Sequence, residues 1–211
     1  MPDPTPIRRG PGRPPKRIDD RLETREALIR CGIEVLTEKG FTATGIDAVL
    51  KRIGVPKGSF YHYFESKEAF GLEVVDSYAA YFARKLDRWF LDDSRQPLAR
   101  LAAFVDDAKA GMARHGFRRG CLIGNLGQEM SALPETYRDR LEAVFLDWQA
   151  RLAKCLVLAR ARGDIAADAD CERLAAYFWI GWEGAVLRAR LMRSETALDI
   201  FAQGFIGGLP R

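Results

Sequence analysis

Histidine is nearly missing from this chain: only His62 and His115 occur among 211 residues. That leaves almost no raw material for a multi-histidine metal site or a histidine-centred catalytic triad. The four cysteines, Cys31, Cys121, Cys155 and Cys171, are scattered, with no CxxC pair and no histidine-bracketed spacing. They read as free thiols, not as a disulfide frame or a metal site. No run approaches the roughly 18 uninterrupted apolar residues of a membrane span. The N-terminus is rich in Pro and Arg and lacks the apolar centre of a signal peptide. Nothing after residue 20 reads as strand. The expectation is a cytoplasmic protein that takes no metal, cofactor or membrane partner and is not an enzyme.

Hydrophobic residues at 47% and charged residues at 29% describe a folded globular chain of one large domain or two small ones. The net charge of +4 is mild but unevenly placed. Arg8, Arg9, Arg13, Lys16 and Arg17 follow one another without an acid, interleaved with Gly10, Pro11, Gly12, Pro14 and Pro15. Proline removes backbone donors and glycine raises the entropy cost of ordering, so this arm, residues 1–19, is expected to stay extended until something anionic organises it.

From Asp20 to Lys39, apolar residues recur at three- and four-residue steps (Leu22, Ala27, Leu28, Cys31, Val35, Leu36), and Gly40 supplies a stop. Thr44, three residues before Asp47, resembles a capping box opening a short helix through Ile53, which Gly54 ends. Lys57 to Phe64 has the length of a third helix, and Ser66 is placed to cap a long fourth one running past Trp89. Further helices are expected near 98–115, 120–131, 134–162, 170–192 and 195–206. The fold class is therefore all-α.

Two short helices joined by a Gly-containing turn have the geometry of a major-groove reader. In Gly54-Val55-Pro56-Lys57-Gly58-Ser59-Phe60-Tyr61-His62-Tyr63-Phe64, Phe60 and Phe64 lie four apart on one packing face. Lys57, Ser59, Tyr61, His62 and Tyr63 remain to point outward, with a cation, hydroxyls and an imidazole suited to phosphate oxygens. Gly58 lets backbone approach a strand closely, and Lys67 adds a second cation. The alternative is an aromatic helix buried in a core.

This segment resembles the helix-turn-helix of the tetracycline-repressor-like (TetR) family. The resemblance rests on Gly40-Phe41, Thr42 and Thr44, the Ile46–Ile53 helix, Gly54-Val55, Lys57-Gly58-Ser59, Tyr61-His62-Tyr63-Phe64 and Ser66-Lys67-Glu68. It implies that Thr42 and Thr44 belong to the DNA-contacting set, that Thr44, Lys57, Tyr61, His62 and Lys67 contact phosphates, and that Gly58, Ser59 and Tyr63 lie nearest the bases. Pro56 departs from the Ser or Ala common at that position, which removes a side-chain cap but suits a first turn. Gly12-Arg13-Pro14 with Lys16 resembles an AT-hook core for a narrow minor groove. A nonspecific phosphate-seeking arm is the other reading.

The resemblance further implies a homodimer on a pseudo-palindromic operator: a reader at 20–66 and a helical ligand-binding and dimerisation bundle at 67–211. Leu174, Tyr177, Phe178, Gly181, Ala185 and Ala189 suit a dimer interface, and equally an ordinary core helix. Trp89, Phe104, Met112, Phe145, Trp148, Trp179 and Trp182 could line a cavity or simply fill a core. The segment Arg118-Arg119-Gly120-Cys121-Leu122-Ile123-Gly124-Asn125 is poor in helix formers and suggests close packing or a pocket. It resembles a branch of the family responding to acrylate and to electrophiles. That implies a small unsaturated effector held by Cys121, Arg118, Arg119, Asn125, His115, Tyr137 and Trp182. Cys121 either senses electrophiles through a lowered pKa or is a small buried residue beside a noncovalent pocket. An effector-independent, nucleoid-type DNA-coating protein would use the same reader and arm.

Overall fold

The first helix, α1 (Ile18–Lys39), ends where a left-handed residue is available: Gly40 sits at φ +82° and its amide donates to the Leu36 carbonyl at 2.9 Å. The computed structural model describes residues 18–211, and nine helices and no strand occur among the described residues. After α1 come α2 (Ile46–Ile53), α3 (Lys57–Phe60) and α4 (Lys67–Phe90). They are followed by α5 (Pro97–Arg114), α6 (Leu122–Gly127), α7 (Thr136–Ala161), α8 (Cys171–Met192) and α9 (Thr196–Gly207).

The apolar stripe of α1 is buried from Leu28 onward, with Leu28, Cys31, Val35 and Leu36 in the core beside Val49 and Leu50 of α2, whereas Leu22, expected in the same stripe, is 55% exposed. The Cys31 thiol reaches the Val49 carbonyl at 3.7 Å. A side chain at Gly32 would overlap Phe70 and Val74 of α4, so α1 and α4 meet closely only because that position has no Cβ. The Ser66 side chain caps α4 by accepting the Ala69 amide at 3.0 Å.

With 24 residues, α4 is about 36 Å long. It packs on α1 at one side and on α5, α6 and α7 at the other, and so joins the small N-terminal unit to the bundle. The bundle core is aromatic: Phe82 lies 4.5 Å from Trp148, Trp148 5.1 Å from Trp179, and Phe104 5.8 Å from Trp179. Burying each such ring contributes about 2–3 kcal/mol. Arg100 pins the α4–α5 turn, its guanidinium donating to the carbonyls of Phe90 and Arg95 and to Asp93.

Three expectations need correction. Thr44 does not cap α2, whose N-cap is Gly45 without a side-chain bond; its buried hydroxyl donates back to the Gly40 carbonyl at 2.6 Å. The third helix stops at Phe60, after which Tyr63 and Phe64 both bond to the Phe60 carbonyl in a tighter turn. The segment expected as a helix over 120–131 contains only six helical residues, consistent with the low helix propensity of its glycines. No helix among the described residues is long and apolar enough to cross a membrane.

Candidate functional site

On the first surface, α2, the Val55–Pro56 connection and α3 place the predicted reader side chains as a group. Phe60 and Phe64 turn inward, their rings 5.4 Å apart and each within 5.5 Å of Phe70. That anchors the segment and leaves Lys57, Gly58, Tyr61 and His62 exposed, with Ser59 and Tyr63 half-buried beside them. Tyr61 is 59% exposed, and a Cβ built on Gly58 would meet nothing within 4 Å. Lys57 meets Asp47 of α2 at 3.0 Å, which raises its pKa and keeps it cationic.

Two of the expected phosphate contacts are turned to another purpose. Lys67 donates to the Phe41 carbonyl at 2.8 Å and lies 4.3 Å from the centre of the Phe41 ring. Burial there lowers its pKa. Thr44, as described, is bonded to Gly40. Both hold the end of α1 instead of pointing outward. Thr42 is exposed, its amide donating to Glu129 at 2.7 Å. Arg13 and Lys16 lie outside the described residues.

The second site is a cavity of about 250 Å³ between the two parts of the chain. α1 contributes Glu34 and Thr37; α4 contributes Tyr78, Phe82 and Lys85; α8 contributes Trp182 and Glu183. Of the expected ligand residues, His115, Arg119, Cys121 and Trp182 line it, and Met112 joins them. Arg118, Asn125 and Tyr137 do not. Arg118 is exposed in a separate groove with Phe117 and Arg190. Tyr137 is buried, donating to the Glu68 carbonyl at 3.3 Å with its ring 5.2 Å from Phe41. Trp148, Trp179 and Phe104 belong to the core.

Of the two readings of Cys121, the surroundings match the small buried residue beside a pocket and oppose a lowered pKa. Its thiol is buried and lies beside the Glu183 carboxyl, and burial, followed by that carboxylate, pushes it well above the ordinary thiol value. Its arginine neighbours do not compensate. Arg119 is committed to Glu34 at 3.0 Å and Glu38 at 2.8 Å, and Arg118 is in the other groove. The Sγ accepts the Gly124 amide at 3.4 Å at the start of α6.

Asn125 links elements that the sequence keeps apart. Its Nδ2 donates to the Thr37 carbonyl of α1 at 2.8 Å, and its Oδ1 accepts Arg190 of α8 at 2.5 Å. Glu129 accepts the amides of Phe41 and Thr42. Glu34 is shared between Arg119 in the cavity wall and Arg52 of α2, at 3.2 Å from the latter. A cavity-lining side chain is thereby joined through one carboxylate to the reader.

Glu183, Glu129 and Arg190 escaped the sequence reading. Glu183 alone carried a signal, as the only charge between Leu174 and Leu187. The other two sit among exposed-looking polar residues, and only the fold brings them to α1.

Residues 28–74 match the family described as "Bacterial regulatory proteins, tetR family", and residues 97–205 match "Tetracyclin repressor-like, C-terminal domain". The chain is 52% identical over 191 residues to the transcriptional regulator AcuR of Cereibacter sphaeroides, covering 90% of this chain and 87% of that protein. It is 33% identical over 181 residues to the repressor DhaR of a Mycobacterium species, covering 86% and 89%. Among solved structures, the regulatory protein TetR from Rhodobacter sphaeroides superposes with a TM-score of 0.85 at 53% identity, covering 87% of this chain and 97% of that one. The reduced form of Escherichia coli NemR gives 0.80 at 30% identity, covering 87% and 95%.

Proposed function

The chain belongs to the tetR family of bacterial regulatory proteins, helix-turn-helix regulators of transcription, and we propose that it is a repressor released from its operator by a small unsaturated acid such as acrylate. In this reading, residues 20–66 read DNA and residues 67–211 bind ligand and dimerise. The observation that carries the ligand-responsive part is the cavity joined to the reader through Arg119, Glu34 and Arg52. A DNA-coating protein would need neither the cavity nor that link.

On DNA, Lys57, Tyr61 and His62 engage phosphates, while Gly58, Ser59 and Tyr63 face the bases. Thr42 serves from the α1–α2 turn, and Arg13 and Lys16 add contacts from the arm. Dimerisation uses the outer face of α8 and α9, where Ile180 is 74%, Leu191 71% and Ile200 67% exposed. Such apolar exposure on adjoining helices is what an interface between copies covers. Two readers fixed one DNA turn apart require a pseudo-palindromic operator, and a change in their separation weakens binding.

The size of the cavity suits a small effector, and the resemblance to acrylate-responsive repressors names the class. The protonated, buried state of Cys121 favours noncovalent capture over thiolate attack. The test is operator binding at fixed salt, titrated with acrylate and with propionate, on wild type and Cys121→Ser. Equal release of both proteins by acrylate supports the noncovalent cavity, whereas release of wild type alone makes Cys121 a covalent sensor. No release by any small acid removes the acrylate reading, and turnover of a small carbonyl compound by the purified protein would overturn the non-enzymatic one.

A further inference from the structure

We propose that Glu183 is the docking group of the cavity, and that it takes a small monocarboxylic acid through a shared proton, so that the anion binds together with one proton. The inference rests on the cavity being the effector site. Glu183 lines that cavity, and although the residue as a whole is half-buried, its Oε1 is closed off from solvent and has no hydrogen-bond partner among the described residues. A buried carboxyl oxygen without a partner is costly and sets up a place for a polar ligand atom. The room for it is built in, because any side chain at position 124 would overlap the Glu183 carboxyl, and glycine stands there.

Of the three permanent cations lining the cavity, two are already paired, and the third, Arg114, sits exposed at the end of α5. Arg119 is bound by Glu34 and Glu38, and Lys85 by Asp107 at 2.9 Å. The titratable groups that line the cavity with Glu183 are Cys121 at the start of α6, Tyr78, Tyr81 and Lys85 on α4, Arg114 and His115 at the end of α5, Arg119, and Glu34 on α1. Burial holds Cys121 and Tyr78 in their neutral forms. Burial also raises the Glu183 carboxyl to about 7, so it is ready to carry a proton near neutrality. An ionised acid meeting an ionised Glu183 would be repelled. Meeting the protonated form, it accepts a charge-assisted O–H···O hydrogen bond, and the unpartnered oxygen shell is completed.

The test is calorimetric titration of the full chain with acrylate and propionate, from about pH 6 to about pH 8, in buffers of different ionisation enthalpy that count protons taken up. Wild type should take up close to one proton per acid at the upper end, with affinity falling about tenfold per pH unit above the Glu183 titration. Glu183→Gln should take up none and lose the slope. Binding of propionate with a proton, without binding of acrylate, would set aside the acrylate reading and leave Glu183 in place. Acrylate-driven DNA release without proton uptake by wild type would leave the regulator reading intact and overturn the role of Glu183. Binding of neither acid overturns it too, as does a proton still taken up by Glu183→Gln.

Discussion

Glu129, in the connection after α6, accepts the backbone amide of Phe41 at 3.0 Å across 88 residues of sequence, so a side chain of the bundle ties down the turn that follows the first reader helix. Its second oxygen takes the Thr42 amide, and one carboxylate thus serves two amides that the α1–α2 turn leaves without a local partner. The orientation of the reader on the bundle is held partly by that residue.

Replacing Glu129 with alanine removes both bonds, and the expected loss is about 1–2 kcal/mol in urea unfolding. Glu129→Gln keeps one acceptor oxygen and should lie between the two. Equal midpoints for all three proteins would show that the carboxylate does not hold the joint.

The two lysines of the reader should behave differently. Lys57→Ala removes an exposed cation, so operator affinity should fall alike on all sequences and the salt slope should decrease by about 0.9, with thermal stability unchanged. Lys67→Ala removes the bond to the Phe41 carbonyl, so it should lower stability by about 1 kcal/mol and leave the slope in place. A reversed pattern would return Lys67 to the DNA surface.

Ile180 and Leu191 are exposed on one protomer, so their replacement by aspartate should cost its fold little while placing charge in the interface. Sedimentation of the double variant should show monomer. Operator affinity should drop by roughly 100-fold or more, as two linked half-site contacts become independent. A dimer that survives both substitutions would move the interface elsewhere.

Glu183 also fixes a pH dependence of stability. Its carboxyl rises from an ordinary 4.5 to about 7 in the folded chain, so the folded state holds the proton more tightly than the unfolded one. The stability contributed by the neutral group is complete below about pH 4.5 and is lost as pH rises to about 7, a change on the order of 3 kcal/mol. Glu183→Gln cannot ionise, so its melting temperature relative to wild type should be higher at about pH 8 than at about pH 5. A constant difference across that range would place the carboxyl in water.

The sequence by itself determined the all-α class, most helix boundaries and the outward set of the reader, because helical periodicity, Gly40, Gly54 and Ser66 are local signals that backbone geometry obeys directly. Phe60 and Phe64, four apart, had to share a face, and that left Lys57, Tyr61 and His62 outside. Only the tertiary structure decided what each polar group meets. Lys67 and Thr44 carry the right chemistry for phosphate, yet they were drawn to the carbonyls at the end of α1, because a buried acceptor needs a donor. Cys121 follows two arginines in sequence, but the fold commits Arg119 to Glu34 and Glu38, turns Arg118 into another groove and brings Glu183 from 62 positions downstream. Desolvation and the charge of a distant neighbour set a side chain's protonation, and neither is a property of local sequence.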